Sequence, residues 1–173
     1  MIRDPRMKFG ISDKRGRAPT SSDPYIDAEA QSGPVRCSDC GAFFLNKRWY
    51  LAQTLPEKFD AESVEEEVQC PSCRKIEEHY SEGVVTLEGE YLWAHEKEIR
   101  SMLYNTEKKV MLINPLERIL SIDRQGDALV IETTEEKLAE HLGRALFRAH
   151  QGDLEVSWSD DHSFCRVHWE RAL

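Results

Sequence analysis

Two short cysteine pairs constrain this chain more than any other feature: Cys37-Ser38-Asp39-Cys40, followed by Gly41, and Cys70-Pro71-Ser72-Cys73, followed by Arg74. In a C-x-x-C pair the two intervening residues let the backbone turn back, so that both sulfurs reach one ion at about 2.3 Å. Gly41 removes the Cβ where the chain must fold back sharply, and Pro71 pre-sets the backbone at the start of the second turn. Cys37, Cys40, Cys70 and Cys73 are therefore expected to close one tetrahedron around a single structural Zn2+, with no open position for water and no hydrolytic role. The segment 41–69 exceeds the roughly 15–20 residues usual between such pairs, but closure entropy grows only logarithmically with loop length. Redox dithiols and four unrelated thiols are the competing readings. A thioredoxin-like dithiol needs a helix N-terminus after a strand, and the sequence suggests that setting for neither pair.

Length bounds what surrounds the pairs. A chain of 173 residues suits one ordinary domain, or a metal-stapled module beside a small independent core. Three units are expected: residues 1–34 as a disordered basic tail, 35–80 as a zinc ribbon and 83–173 as an α+β domain. The tail carries Arg3, Arg6, Lys8, Lys14, Arg15 and Arg17 with no apolar periodicity to order it. The ribbon is too short and polar to fold without a metal.

From Gly83 the periodicity changes. Val84 to Leu87 reads as a strand, and His95 to about Val110 as a helix with Ile99, Met102, Leu103 and Thr106 on one face. Arg118 to Ile122 and Ala128 to Ile131 read as strands around a turn at Gln125-Gly126-Asp127. Thr133-Thr134-Glu135-Glu136 has the form of a capping box, opening a helix that ends near Gly152. Leu154, Val156 and Trp158 alternate, as do Cys165, Val167 and Trp169. The expected fold class is α+β: an N-terminal four-cysteine zinc ribbon, then a β-α-β-β-α-β-β antiparallel sheet module with two helices, resembling split βαβ folds.

Net charge of −9 counts against a whole-surface nucleic-acid binder, but it leaves room for a local basic patch, because exposed charges are screened beyond about 8–10 Å. One such patch is a stripe on the second helix, where Lys137, His141, Arg144 and Arg148 share a face that could contact successive phosphates. Leu138, Leu142, Ala145, Leu146 and Ala149 mark the core side, and Arg166 and His168 are expected to extend the basic surface. An ordinary amphipathic helix is the competing reading. Acidic residues within 57–67 offer a docking face for a basic protein partner, or a solvated loop. Cys165 reads as a buried apolar thiol. No histidine lies in a catalytic or metal-binding motif, and His95, Glu96 and Cys165 would have to meet in one pocket to suggest an enzyme. The chain is therefore expected to be a binder and not an enzyme. No apolar run approaches the roughly 18 residues of a membrane span, and no signal-like segment is visible, so five cysteines point to the reducing cytoplasm.

The two pairs, with Ala128-Leu129-Val130-Ile131-Glu132-Thr133-Thr134, Leu138-Ala139, Leu142-Gly143-Arg144-Ala145-Leu146 and Gly152-Asp153-Leu154, resemble the NMD family of zinc-ribbon, ribosome-associated proteins over most of residues 36–170. The resemblance implies contact with ribosomal RNA or protein, with effects on ribosome stability or RNA decay. The alternative expectation is a zinc-ribbon protein–protein adaptor in transcription or other regulatory machinery.

Overall fold

The computed structural model describes residues 33–173 and the backbone of one earlier strand, β1 (Met7–Phe9). A small unit follows, with β2 (Val35–Cys37), β3 (Phe43–Leu45), β4 (Arg48–Tyr50), β5 (Glu67–Val68) and a short helix, α1 (Pro71–Glu77). The larger unit runs β6 (Gly83–Glu88), α2 (Glu90–Ala94), α3 (Glu96–Met111), β7 (Ile119–Gln125), β8 (Ala128–Thr133), α4 (Glu136–His150), β9 (Asp153–Trp158) and β10 (Cys165–Glu170). The protein is thus mixed α+β with two sheets, and the expected order of strands and helices holds with α2 inserted.

The small sheet is four-stranded, in the order β4-β3-β2-β5. The larger is six-stranded, in the order β1-β9-β10-β6-β8-β7. β6 pairs parallel with β10 and antiparallel with β8, while the β9–β10 and β7–β8 pairs are antiparallel. The sheet is mixed and not the antiparallel one expected: strands from the two ends of the unit, which no hairpin joins, lie side by side at its centre. Strands β6 and β7 therefore run the same way with β8 between them, and β8 and β9 do so with β6 and β10 between them. Each crossover is a split βαβ unit, and its helix covers the same face of the sheet.

Strand alternation explains that face. Val85 and Leu87 of β6, Leu129 and Ile131 of β8, Leu154 and Val156 of β9, and Cys165, Val167 and Trp169 of β10 are all buried. They form one core with Ile99 and Leu103 of α3 and Leu138, Leu142, Leu146 and Phe147 of α4. Gly143 lets α4 approach β10 closely, since a Cβ there would lie 2.5 Å from Val167 Cγ1. Arg166 and His168 consequently emerge on the opposite face, where His168 Nε2 lies 2.8 Å from Glu88 and Arg166 stacks over Phe164. They cannot extend a surface on α4, because the sheet stands between them and the helix.

Four local expectations are corrected. The capping box does not form: Thr133 ends β8, its hydroxyl donates to Glu135 O at 2.9 Å, and Glu135 is the N-cap of α4. Strand pairing to both Gly83 and Ile119 holds Thr133 extended, so the helix starts later. Ala145 is only half-buried and Ala149 is exposed, so the core side of α4 is carried instead by Ala139, Gly143 and Phe147 beside the leucines. Met7–Phe9, placed by the sequence within a disordered tail, forms a strand parallel to β9. The other basic positions of that tail lie outside the described residues.

The fourth correction is α1 itself. It carries Lys75, 1% exposed, into the larger unit, where the ammonium donates to Thr134 O at 3.0 Å and meets Glu82 and Glu135 at 2.8 Å each. Arg48 Nη2 also donates to Ile113 O at 2.6 Å, and Leu116 packs against the cysteines. The two units share an interface built on the second cysteine pair.

Candidate metal centre

The first pair sits at the end of β2 and in the turn that follows. The chain reverses through Gly41, whose φ of +74° suits glycine, and this brings Ala42 back beside Cys37, with Cys37 N–H donating to Ala42 O at 2.6 Å. The second pair is built differently. Cys70 is the N-cap of α1, its sulfur accepting from Cys73 N–H at 3.4 Å, and Pro71 occupies the first turn. The sequence suggested no helix N-terminus after a strand for either pair, yet α1 follows β5 within three residues. Helix propensity in so short, Pro-started a segment is a weak signal, and the cysteine cap reveals itself only in three dimensions.

Parallel pairing of β2 with β5, Cys37 opposite Val68, draws the pairs together. Cys37 Sγ lies 3.9 Å from Cys73 Sγ and Cys40 Sγ lies 3.8 Å from Cys70 Sγ, and all four sulfurs lie within 4.8 Å of one another. In a tetrahedral thiolate site with metal–sulfur bonds of about 2.3 Å, neighbouring sulfurs stand about 3.8 Å apart. The four predicted ligands thus fit one metal ion. Cys37, Cys70 and Cys73 are buried, Cys40 is exposed, and all four are free thiols.

The electrostatics point the same way. Cys40 is pulled down to about 5 by the hydrogen bond from Cys70, against the opposing effect of burial. Cys70 is pushed far up by that same bond and by burial, and Cys73 rises to about 11 chiefly through burial. Packed this closely, one thiol can ionise only at its neighbours' expense. A cation among them removes that penalty.

The stripe on α4 is only partly assembled. His141, Arg144 and Arg148 line a groove of about 450 Å³ between α3 and α4, joined by Lys109 of α3 over a floor of Met102, Val110, Ala145 and Ala149. Lys137 is exposed in the first turn of α4, outside this lining. Arg144 donates through Nε and Nη2 to Glu140 Oε1, at 3.0 and 2.6 Å. His141 Nδ1 lies 3.1 Å from Glu117, whose side chain is buried. Lys109 was missed because it belongs to another helix, and only the α3–α4 packing brings it alongside.

His95, Glu96 and Cys165 do not meet. Cys165 is fully buried at the start of β10. His95 stacks on Tyr91 at 3.9 Å, and Tyr91 contacts Trp169, four residues or roughly 13 Å further along the strand. The carboxylates at Glu57, Glu62, Glu65, Glu66 and Glu67 are all exposed. No helix of the described residues is long and apolar enough to cross a membrane. No protein-family model, curated protein or solved structure matches the chain.

Proposed function

We propose that this chain is a non-catalytic zinc-ribbon protein of the cytoplasm that binds RNA, on the ribosome or apart from it. The ion is Zn2+: thiolates are soft ligands, and an all-sulfur tetrahedron suits zinc where geometry and not redox chemistry is required. Four sulfurs fill its coordination, so the ion staples the small sheet and α1 instead of activating water. The observation that carries the binding reading is the convergence of Lys109, His141, Arg144 and Arg148 along one groove of the helix layer. The cations among them, Lys109, Arg144 and Arg148, lie along a rigid helix pair and suit successive backbone phosphates, which give affinity without base recognition. The resemblance to the NMD family supports the same partner.

The opposite face of the large sheet makes a poor stacking platform. Thr86, Glu88, Val130, Glu132, Glu155 and Ser157 project there, and Phe164, the aromatic residue beside them, is already covered by the Arg166 guanidinium.

The test is co-sedimentation with ribosomes and with structured RNA across a salt series, comparing wild type with Arg144→Glu, Arg148→Glu. The wild type should weaken steeply as salt rises, and the double variant should bind less tightly with a shallower slope, by roughly 0.7–0.9 for each phosphate no longer neutralised. Equal binding by both proteins would remove the RNA reading. The exposed carboxylates of 57–67 favour the second reading, an adaptor for a basic protein partner in regulatory machinery. Salt-sensitive capture of a basic protein that survives the double variant, with RNA binding absent, would select it.

A further inference from the structure

We propose that Arg118, from the larger unit, is a positioning residue of the metal centre, so that the site is completed only when the two units are docked. The inference rests on the metal reading above. A divalent ion held by four thiolates leaves a net charge of about −2 on the cluster, and N–H donors to the sulfurs stabilise that charge.

Two sulfurs draw a donor from the backbone of the second pair. Cys37 Sγ accepts from Cys70 N–H at 3.2 Å and Cys70 Sγ from Cys73 N–H at 3.4 Å. Cys73 Sγ accepts from Arg118 Nη1 at 3.4 Å. The difference has a structural cause. The sulfurs of Cys37 and Cys70 face the amides at the start of α1. After Cys73 the chain continues as α1, and the next amide, that of Arg74, donates to Cys70 O at 3.1 Å. A helical pair cannot fold its own following amides onto its second sulfur, and a side chain from elsewhere does so instead.

Arg118 is well held for this role. Its N–H donates to Thr134 Oγ1 at 2.9 Å, and its carbonyl accepts from Thr134 N–H at 2.9 Å. Thr134 O in turn accepts from Lys75, two residues beyond Cys73. The guanidinium adds a charge-assisted donor where the backbone offers only neutral ones.

The experiment follows first-order release of Zn2+ from the full chain to excess chromogenic chelator, in wild type, Arg118→Lys, Arg118→Gln and Arg118→Ala. The absorption of each protein loaded with Co2+ is recorded in parallel. The Gln and Ala variants should release the ion about 10–100-fold faster, the Lys variant should recover part of the loss, and the thiolate-to-Co2+ charge-transfer band should move to lower energy as Cys73 loses its charged donor. Arg118→Gln, which keeps bulk and a neutral donor, carries the comparison alone if the Ala variant does not fold. Release from Gln at the wild-type rate with an unmoved band would overturn the proposal while leaving the metal reading intact. A wild-type chain that binds no ion would overturn both.

Discussion

Lys75 gives the sharpest test of how the two units are joined. Its side chain is 1% exposed, and its three N–H donors meet three acceptors: Thr134 O, Glu82 and Glu135. Lys75→Met keeps the length of the stem and removes the charge, leaving two carboxylates facing each other, one 10% and the other 23% exposed. Removing one partner of a buried ion pair costs about 3–5 kcal/mol, because the remaining charge is uncompensated. At about 2–4 °C per kcal/mol for a chain of this size, Tm should fall by roughly 6–20 °C. Scanning calorimetry at neutral pH and fixed metal loading measures it. Adding Glu82→Gln and Glu135→Gln to Lys75→Met should recover much of the loss, since the residual charges are then gone. The dependence on pH follows from the direction of the Lys75 shift. Burial pulls its ammonium down, but Glu135 and Glu82 outweigh burial and hold it above the usual 10.5. A group whose pKa is raised on folding stabilises fully below its unfolded value and loses that contribution as pH climbs through the folded one. The deficit of Lys75→Met should therefore be flat between about pH 6 and 9 and shrink only in strong alkali. A deficit within about 1 kcal/mol of zero at neutral pH would refute the account of the interface.

Metal analysis of the purified full chain should give about one zinc per chain, and chelation should unfold the small unit, read as lost near-ultraviolet signal from Trp49; retention of the fold without metal would refute the staple. Gly143→Ala should destabilise by about 1–3 kcal/mol in denaturant titration, because the new methyl must displace Val167. Cys165→Ala should leave zinc stoichiometry and release rate unchanged, since this thiol lies in the core of the other unit, apart from the four-sulfur cluster; altered metal content would refute that separation.

Much of the larger unit was legible because its elements are long enough to declare a period. The alternation of Val85 and Leu87, of Leu154 and Val156, and of Cys165, Val167 and Trp169 each marks a buried face, and each is buried. The four-cysteine cluster was legible because C-x-x-C spacing is itself a geometric statement. What stayed hidden depends on partners remote in sequence. Thr133 looks like a cap until strand pairing claims it. Ala145 and Ala149 look like core until α3 leaves a groove beside them. Lys75 and Arg118 carry no local mark at all. A buried lysine reads as a surface lysine, and an arginine aimed at a sulfur 45 residues away reads as the start of a strand.

Strand order carries a last consequence. The larger unit opens with β6, yet β6 lies inside its sheet and receives one of its two neighbours, β10, only from residues 165–170. A polypeptide interrupted between Trp158 and Cys165 would leave both β6 and β9 with bare backbone donors and acceptors on the side β10 occupies. It would also strip Leu142, Leu146 and Gly143 of the Val167 and Trp169 surface beneath them. Such a fragment would be a double template for intermolecular pairing, so losing this hairpin arm endangers solubility well before it touches the four-cysteine cluster.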